Sequence, residues 1–215
     1  MQYQHIIWDY NGTLLNDVNL CVKIINELLS SRDLPVMSVE KYRELFDFPV
    51  KDYYERAGFD FEKESFEIVG TAFIVEYDKR QKTTILHAGV LELLKEIHEN
   101  GIQQSVLSAR KEEQLLDEMK AFEISDYFQQ IKGLNDHYAG GKVGRGKELM
   151  ANINIPKDKI LMIGDTKHDA EVAKALGIDC VLLSHGHHTK EKLETCGVEV
   201  LDGISSLRKF IFSSK

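Results

Sequence analysis

Short apolar runs recur along this chain at intervals that a helix would fill, and that alternation constrains the fold more than any other feature. Strand-like segments fall at His5–Trp8, Gln103–Leu107, Gln129–Lys132, Lys159–Ile163, Cys180–Leu183 and Val198–Leu201. Helical periodicity fills gaps between them at Gly89–Asn100, Lys111–Phe122, Glu148–Ile153 and Ala170–Leu176, with Gly101 and Gly177 where C-terminal caps belong. Strands separated by helices pair in parallel, so the expected class is α/β, a mostly parallel sheet with helices on both faces. One stretch interrupts the pattern. From about Asp17 to about Lys82 there is only helical periodicity, with apolar stripes at Val18, Val22, Ile25, Leu28 and Leu29 and at Phe66, Val69, Phe73 and Tyr77. The expected organisation is a core of residues 1–16 and 83–215 with a helical insert at 17–82.

Four short segments sit at or just beyond the ends of expected strands. They are Asp9-Tyr10-Asn11-Gly12-Thr13, Leu107-Ser108-Ala109-Arg110, the loop carrying Lys142, and Gly164-Asp165-Thr166-Lys167-His168-Asp169. In an open α/β sheet such ends converge on one crevice. A carboxylate at a strand end suits nucleophilic attack on phosphorus, provided its charge and that of the phosphate are neutralised. Asp9, Asp165 and Asp169 could hold Mg²⁺ for that purpose. Ser108 is read as a hydroxyl opening a helix, where backbone N–H groups receive phosphate oxygens. A lysine completes the charge balance.

Together these segments resemble the haloacid dehalogenase-like hydrolase superfamily over essentially the whole chain. The helical insert is similar to the small cap of its phosphoglycolate phosphatase and β-phosphoglucomutase branch. The resemblance implies a Rossmann-like core with an inserted cap, and a Mg²⁺-dependent phosphatase acting on a small phosphorylated metabolite. It implies Asp9 as nucleophile, with catalytic roles for Asn11 and Lys142. Ser108, Ala109, Asn11, Gly12 and Lys142 would bind phosphate, and Asp9, Asn11, Asp165 and Asp169 would bind the metal. Lys142 fits the family's spacing to Asp165 better than Lys147 does. Gly141 to Lys147 also matches a nucleotide phosphate loop, but Glu148 stands where that loop needs a Ser or Thr.

Asn11 departs from the family pattern, in which an aspartate two residues after the nucleophile moves protons. An amide cannot, and that help is typically worth ~10²–10⁴-fold. Three outcomes follow: a leaving group that needs little protonation, a substitute base (His87 and Asp47 are candidates), or a phosphate-ligand binder with little turnover. A carbon–phosphorus hydrolase is a further alternative, for which Lys51 in the insert is the candidate Schiff-base lysine; Lys51 could instead pair with an anionic substrate tail. The run His185-Gly186-His187-His188 lacks metal-site spacing and reads as a loop after a strand. Phe46, Phe48, Tyr53 and Tyr54 read as insert core.

Composition narrows the partners. With 27 Lys+Arg against 35 Asp+Glu the net charge is −8, which argues against nucleic acid and anionic membranes as partners. No apolar run approaches the ~20 residues a bilayer requires. The N-terminal residues carry no signal-peptide pattern, and Cys21, Cys180 and Cys196 fit neither a zinc spacing nor a disulfide framework. A cytoplasmic monomer or homodimer is expected.

Overall fold

The computed structural model describes residues 2–134 and 141–213. The strands are β1 (His5–Trp8), β2 (Leu15–Asn16), β3 (Ile85–Leu86), β4 (Gln103–Lys111), β5 (Gln130–Leu134), β6 (Ile160–Gly164), β7 (Asp179–Leu183) and β8 (Glu199–Leu201). Six of them form one sheet in the order β5-β4-β1-β6-β7-β8, every pair parallel. β2 and β3 form a separate antiparallel pair where the chain leaves and re-enters the core. The helices are α1 (Val18–Ser30), α2 (Val39–Leu45), α3 (Val50–Ala57), α4 (Phe66–Arg80), α5 (Val90–Glu99), α6 (Glu112–Ala121), α7 (Lys142–Met150), α8 (Lys167–Leu176), α9 (Lys190–Glu194) and α10 (Ile204–Phe212).

The period-two alternation of a strand explains how the sheet is covered. Ile6 and Trp8 of β1 face a core shared with Leu93 and Leu94 of α5, Leu115 and Met119 of α6, and Leu207 of α10. Ile7, between them, faces the opposite core with Leu149 of α7 and Val172 and Leu176 of α8. All three β1 side chains are fully buried, each worth about 1.5–3 kcal/mol of transfer free energy. Helices therefore cover both faces. Helices α1–α4 bury a third cluster of their own, which includes Ile24, Ile25, Leu29, Tyr53, Tyr54 and Val69. Among the described residues no helix is long and apolar enough to cross a membrane.

The chain departs from the sequence reading in two places that bear on the site. First, Ser108 does not open a helix. β4 runs on to Lys111, its pairing with β5 shifts between Leu107 and Lys111, and α6 starts only at Glu112. Second, the helix expected at Glu148–Ile153 spans Lys142–Met150, so Lys142 stands in its first turn and not in a loop. Gly144 and Gly146 argue against helix by propensity, but tertiary packing prevails. A Cβ on Gly146 would meet Leu176 at 3.0 Å and Leu107 at 3.1 Å, so glycine lets α7 lie close against β4 and α8.

Candidate active site

β1 lies between β4 and β6, which the chain reaches only after long excursions, so the strand order reverses beside it. The crevice at the carboxyl ends of these strands is where an open α/β sheet binds ligands. Asp9 follows β1 immediately and is anchored there by its backbone N–H, which donates to the Ile163 carbonyl at 2.8 Å. Its Oδ1 accepts from Lys142 Nζ at 2.6 Å, and the same ammonium donates to Asp169 Oδ1 at 2.6 Å. Lys147, by contrast, is exposed.

Asp169 is fully buried near the start of α8, not an exposed helix carboxylate. Its Oδ2 accepts from the backbone N–H groups of Asp165 and Thr166 at 3.2 and 3.0 Å and from Thr166 Oγ1 at 2.7 Å. An anion at a helix N-terminus is stabilised by the unpaired amides there. Asp165 is held from two sides, accepting from Thr13 Oγ1 and from the His187 N–H, both at 2.7 Å. Gly12 and Gly186 make room for it: a Cβ on either would lie within 2.3 Å of Asp165 Oδ2, and Gly12 has φ +73°.

Carboxylate oxygens of Asp9, Asp165 and Asp169 lie within 4.8 Å of one another, all buried. Three carboxylates share one lysine, a local excess of negative charge. Burial, with Asp169 and Asp165 alongside, pushes the Asp9 carboxyl up to about 8 despite Lys142, and burial lifts Asp165 to about 6. Lys142 is itself disfavoured by burial, yet Asp169 and Asp9 hold its pKa above the ordinary lysine value. Hard oxygen donors with uncompensated charge fit a hard divalent cation such as Mg²⁺.

Ser108 and Ala109 line the same cavity, and Ser108 Oγ accepts from the Arg110 N–H at 3.0 Å. Arg110 was not anticipated. Its guanidinium bridges Glu118 of α6 and Asp78 of α4, with contacts of 2.7 and 2.6 Å, and lies 5.0 Å from the Tyr77 ring centroid. It thereby ties α4 to the end of β4.

Asn11 turns both amide protons away from any proton-transfer task. Its Nδ2 donates to Asp17 Oδ2 at 2.9 Å and to Tyr77 Oη at 2.8 Å. Asp17, Tyr77 and His187 are the residues that sequence reasoning missed. Asp17 is buried and also accepts from the Gly12 N–H at 2.9 Å and from Tyr77 Oη at 2.7 Å, and His187 Nε2 lies 3.2 Å from its Oδ1. These partners outweigh burial and hold its carboxyl down at about 2, while the Asp17 charge lifts His187 to about 9 against its own burial. His187 also meets Tyr42 Oη at 2.9 Å. The histidine run is a loop directly after β7, as expected, but a buried one: His187 and His188 are both buried, and His188 Nδ1 accepts from the Lys167 N–H at 3.1 Å.

The substitute bases lie elsewhere. His87 Nε2 sits 3.1 Å from the Gly12 carbonyl with its ring stacked on His185, and Asp47 pairs with Lys192 at 3.0 Å; neither lines the cavity. Lys51 is exposed, with Nζ 5.9 Å from the Phe61 centroid, and does not reach the cavity either.

The Asn11–Asp17 contact carries its own test. Asn11→Asp sets a second carboxylate where the amide now donates to Asp17, and should cost about 1–3 kcal/mol of stability. Asp17→Asn should cost a similar amount, because His187 loses its counter-charge. The double variant Asn11→Asp/Asp17→Asn keeps one carboxylate in the pair and should recover at least half of the summed loss. Urea unfolding of the four proteins measures the coupling; additive losses would mean that the two residues do not act together.

The chain matches the family model for haloacid dehalogenase-like hydrolases over residues 6–183. It is 28% identical over 220 residues to a phosphoglycolate phosphatase of Pseudomonas fluorescens, covering 94% of this chain and 77% of that one. Among solved structures it is similar to protein tyrosine kinase A of Mycobacterium tuberculosis, with a TM-score of 0.82, 25% identity and 99% of each chain covered. A haloacid dehalogenase-like hydrolase from Streptococcus pneumoniae shares the fold at a TM-score of 0.79 and 16% identity, covering 98% of this chain and 99% of that one. With the parallel sheet and the clustered carboxylates in hand, the match over most of its length makes this chain a member of the haloacid dehalogenase-like hydrolases.

Proposed function

We propose that the protein is a Mg²⁺-dependent phosphatase that hydrolyses a small phosphorylated metabolite through an aspartyl phosphate on Asp9. The observation that carries this reading is the buried bridge Asp9–Lys142–Asp169 with Asp165 beside it. The relatives named as phosphoglycolate phosphatases support the same class of reaction.

Asp9 is the nucleophile, held at the strand end with one oxygen on Lys142. Asp9, Asp165 and Asp169, with the Asn11 backbone carbonyl, are the residues that would hold the cation. When bound, the ion neutralises charge on the phosphoryl oxygens and the carboxylates, acting as a Lewis acid. Lys142 supplies the second positive charge. Ser108, with backbone around Ala109 and Gly12, positions phosphate oxygens. Asn11 fixes the loop through Asp17 and Tyr77 and moves no proton. Residues 17–82 act as a cap that keeps bulk water from the intermediate.

The test is release of inorganic phosphate from a panel of small phosphate monoesters and acyl phosphates, with Mg²⁺ or with EDTA. Hydrolysis with Mg²⁺, falling at least about 100-fold in EDTA, is the expected result. Undiminished release in EDTA would sink the metal assignment. Tight retention of phosphate ligands without turnover would replace the enzyme with a binding protein.

A further inference from the structure

The cavity that opens at Asp9 continues past the phosphate-handling residues. Among α1–α4 its lining becomes Phe46, Phe48, Tyr53, Tyr54, Phe66 and Phe73. The whole cavity, its polar end at Asp9 included, has a volume of about 240 Å³, and ~150 Å³ is enough for an apolar cavity to accommodate benzene. The rings meet in edge-on and tilted pairs, Phe46–Tyr53 at 5.3 Å and Tyr54–Phe66 at 5.8 Å, an arrangement that can receive one more ring. Tyr53 brings a buried hydroxyl with no hydrogen-bond partner, enough for a single polar substituent.

The charges in the lining matter as much as the rings. Lys142 is paired with Asp9 and Asp169, Arg110 with Asp78 and Glu118, His187 with Asp17, and Lys111 lies 3.5 Å from Glu113. Lys142, Arg110 and His187 are buried in their pairs and Lys111 stands half-exposed at the rim, so among the described residues the buried part of the lining offers no unpaired cation to a substrate carboxylate such as that of phosphoglycolate. Asn11 argues independently against an alkyl ester. An alkoxide leaves against a conjugate-acid pKa comparable with water's ~15.7, which calls for an acid that position 11 does not supply. A phenolate, with a conjugate-acid pKa near ~10, departs far more readily unaided.

We propose that the substrate class is a small aryl phosphate monoester, its ring seated among these aromatic side chains and its phosphate at Asp9. This rests on the phosphatase reading above. A carboxylate oxygen of Asp9 bonds to phosphorus as the P–O(aryl) bond breaks. That bond's electron pair leaves on the phenolate oxygen, which takes a proton from solvent. Water then bonds to the same phosphorus and the P–O bond to Asp9 breaks, returning the carboxylate. One water proton stays on the released phosphate and the other replaces the proton that solvent gave.

The experiment measures kcat/KM of the full chain with Mg²⁺ on phenyl phosphate, phosphoglycolate, acetyl phosphate and a phosphotyrosine peptide. Wild type is compared with Gly70→Leu. Gly70 lies on α4 in the cavity lining, and a Cβ there meets nothing closer than Phe66 at 3.7 Å. Loss of a helical glycine also favours α4, and urea unfolding on the same preparation checks that the variant is folded with its chamber narrowed. Phenyl phosphate should exceed phosphoglycolate at least tenfold. Gly70→Leu should lower phenyl phosphate at least tenfold, mainly through KM, and leave acetyl phosphate within twofold. Phosphoglycolate matching phenyl phosphate, or Gly70→Leu slowing both phenyl and acetyl phosphate alike, overturns the proposal. A phosphotyrosine peptide preferred over phenyl phosphate overturns it in favour of a protein substrate. Acetyl phosphate hydrolysed without any aryl preference ends this inference and leaves the phosphatase reading standing; no hydrolysis of any substrate ends both.

Discussion

Asp9→Asn is expected to abolish phosphate release, lowering kcat by at least about 10³-fold. The replacement is nearly isosteric, and the backbone N–H of residue 9 keeps its bond to the Ile163 carbonyl. One of three crowded carboxylates disappears, so folding should be unharmed or improved, since Lys142 retains Asp169 as its partner. The measurement is steady-state phosphate release, with urea unfolding on the same preparation. A variant that folds and keeps more than a tenth of wild-type turnover would show that the nucleophile is another group.

The largest effect on stability should come from Lys142→Met. The lysine is 3% exposed and directly bridges two of the buried carboxylates, Asp9 and Asp169. Methionine fills similar space without charge and leaves Asp9, Asp165 and Asp169 facing one another. Breaking a buried ion pair in this way typically costs about 3–5 kcal/mol. The loss has a distinguishing feature. An ion that binds only the folded chain stabilises it by mass action, so millimolar Mg²⁺ should restore part of the loss and EDTA should cancel the recovery. Urea midpoints with and without Mg²⁺ read this out. A loss below 1 kcal/mol would mean that the carboxylates are neutral without the lysine.

What the sequence made legible follows from local regularity. β1 and its alternating burial, the helices on both faces and the helical stretch between β2 and β3 all rest on periodicity, which neighbouring residues impose on one another. Asp9 and Asp165 were readable because each stands where an apolar strand ends. The misplaced start of α7 has a tertiary cause: Gly144 and Gly146 lower helix propensity, and only the approach of Leu107 and Leu176 accounts for the second of them. Ser108 was assigned to a helix end because nothing local announces that β4 continues three residues further. Asp17, Tyr77 and His187 were invisible for a different reason. Their mutual contacts span 60 residues in one case and 170 in the other, and each residue alone has an ordinary explanation as a cap, a core ring or a loop.

The Asn11–Asp17 contact also governs the order in which the two positions can be exchanged. Because the amide and the carboxylate are bonded to each other, neither position can drift alone. A variant series that placed an aspartate at 11 first would pass through two opposed anions. One that neutralised 17 first would leave the His187 imidazolium without its counter-charge. Either single exchange therefore leaves one charge unmatched, and only the paired exchange keeps the count of charges around His187. Position 11 is in this sense locked by its neighbour: a proton-transferring aspartate can be installed there at low cost only together with a neutral residue at 17.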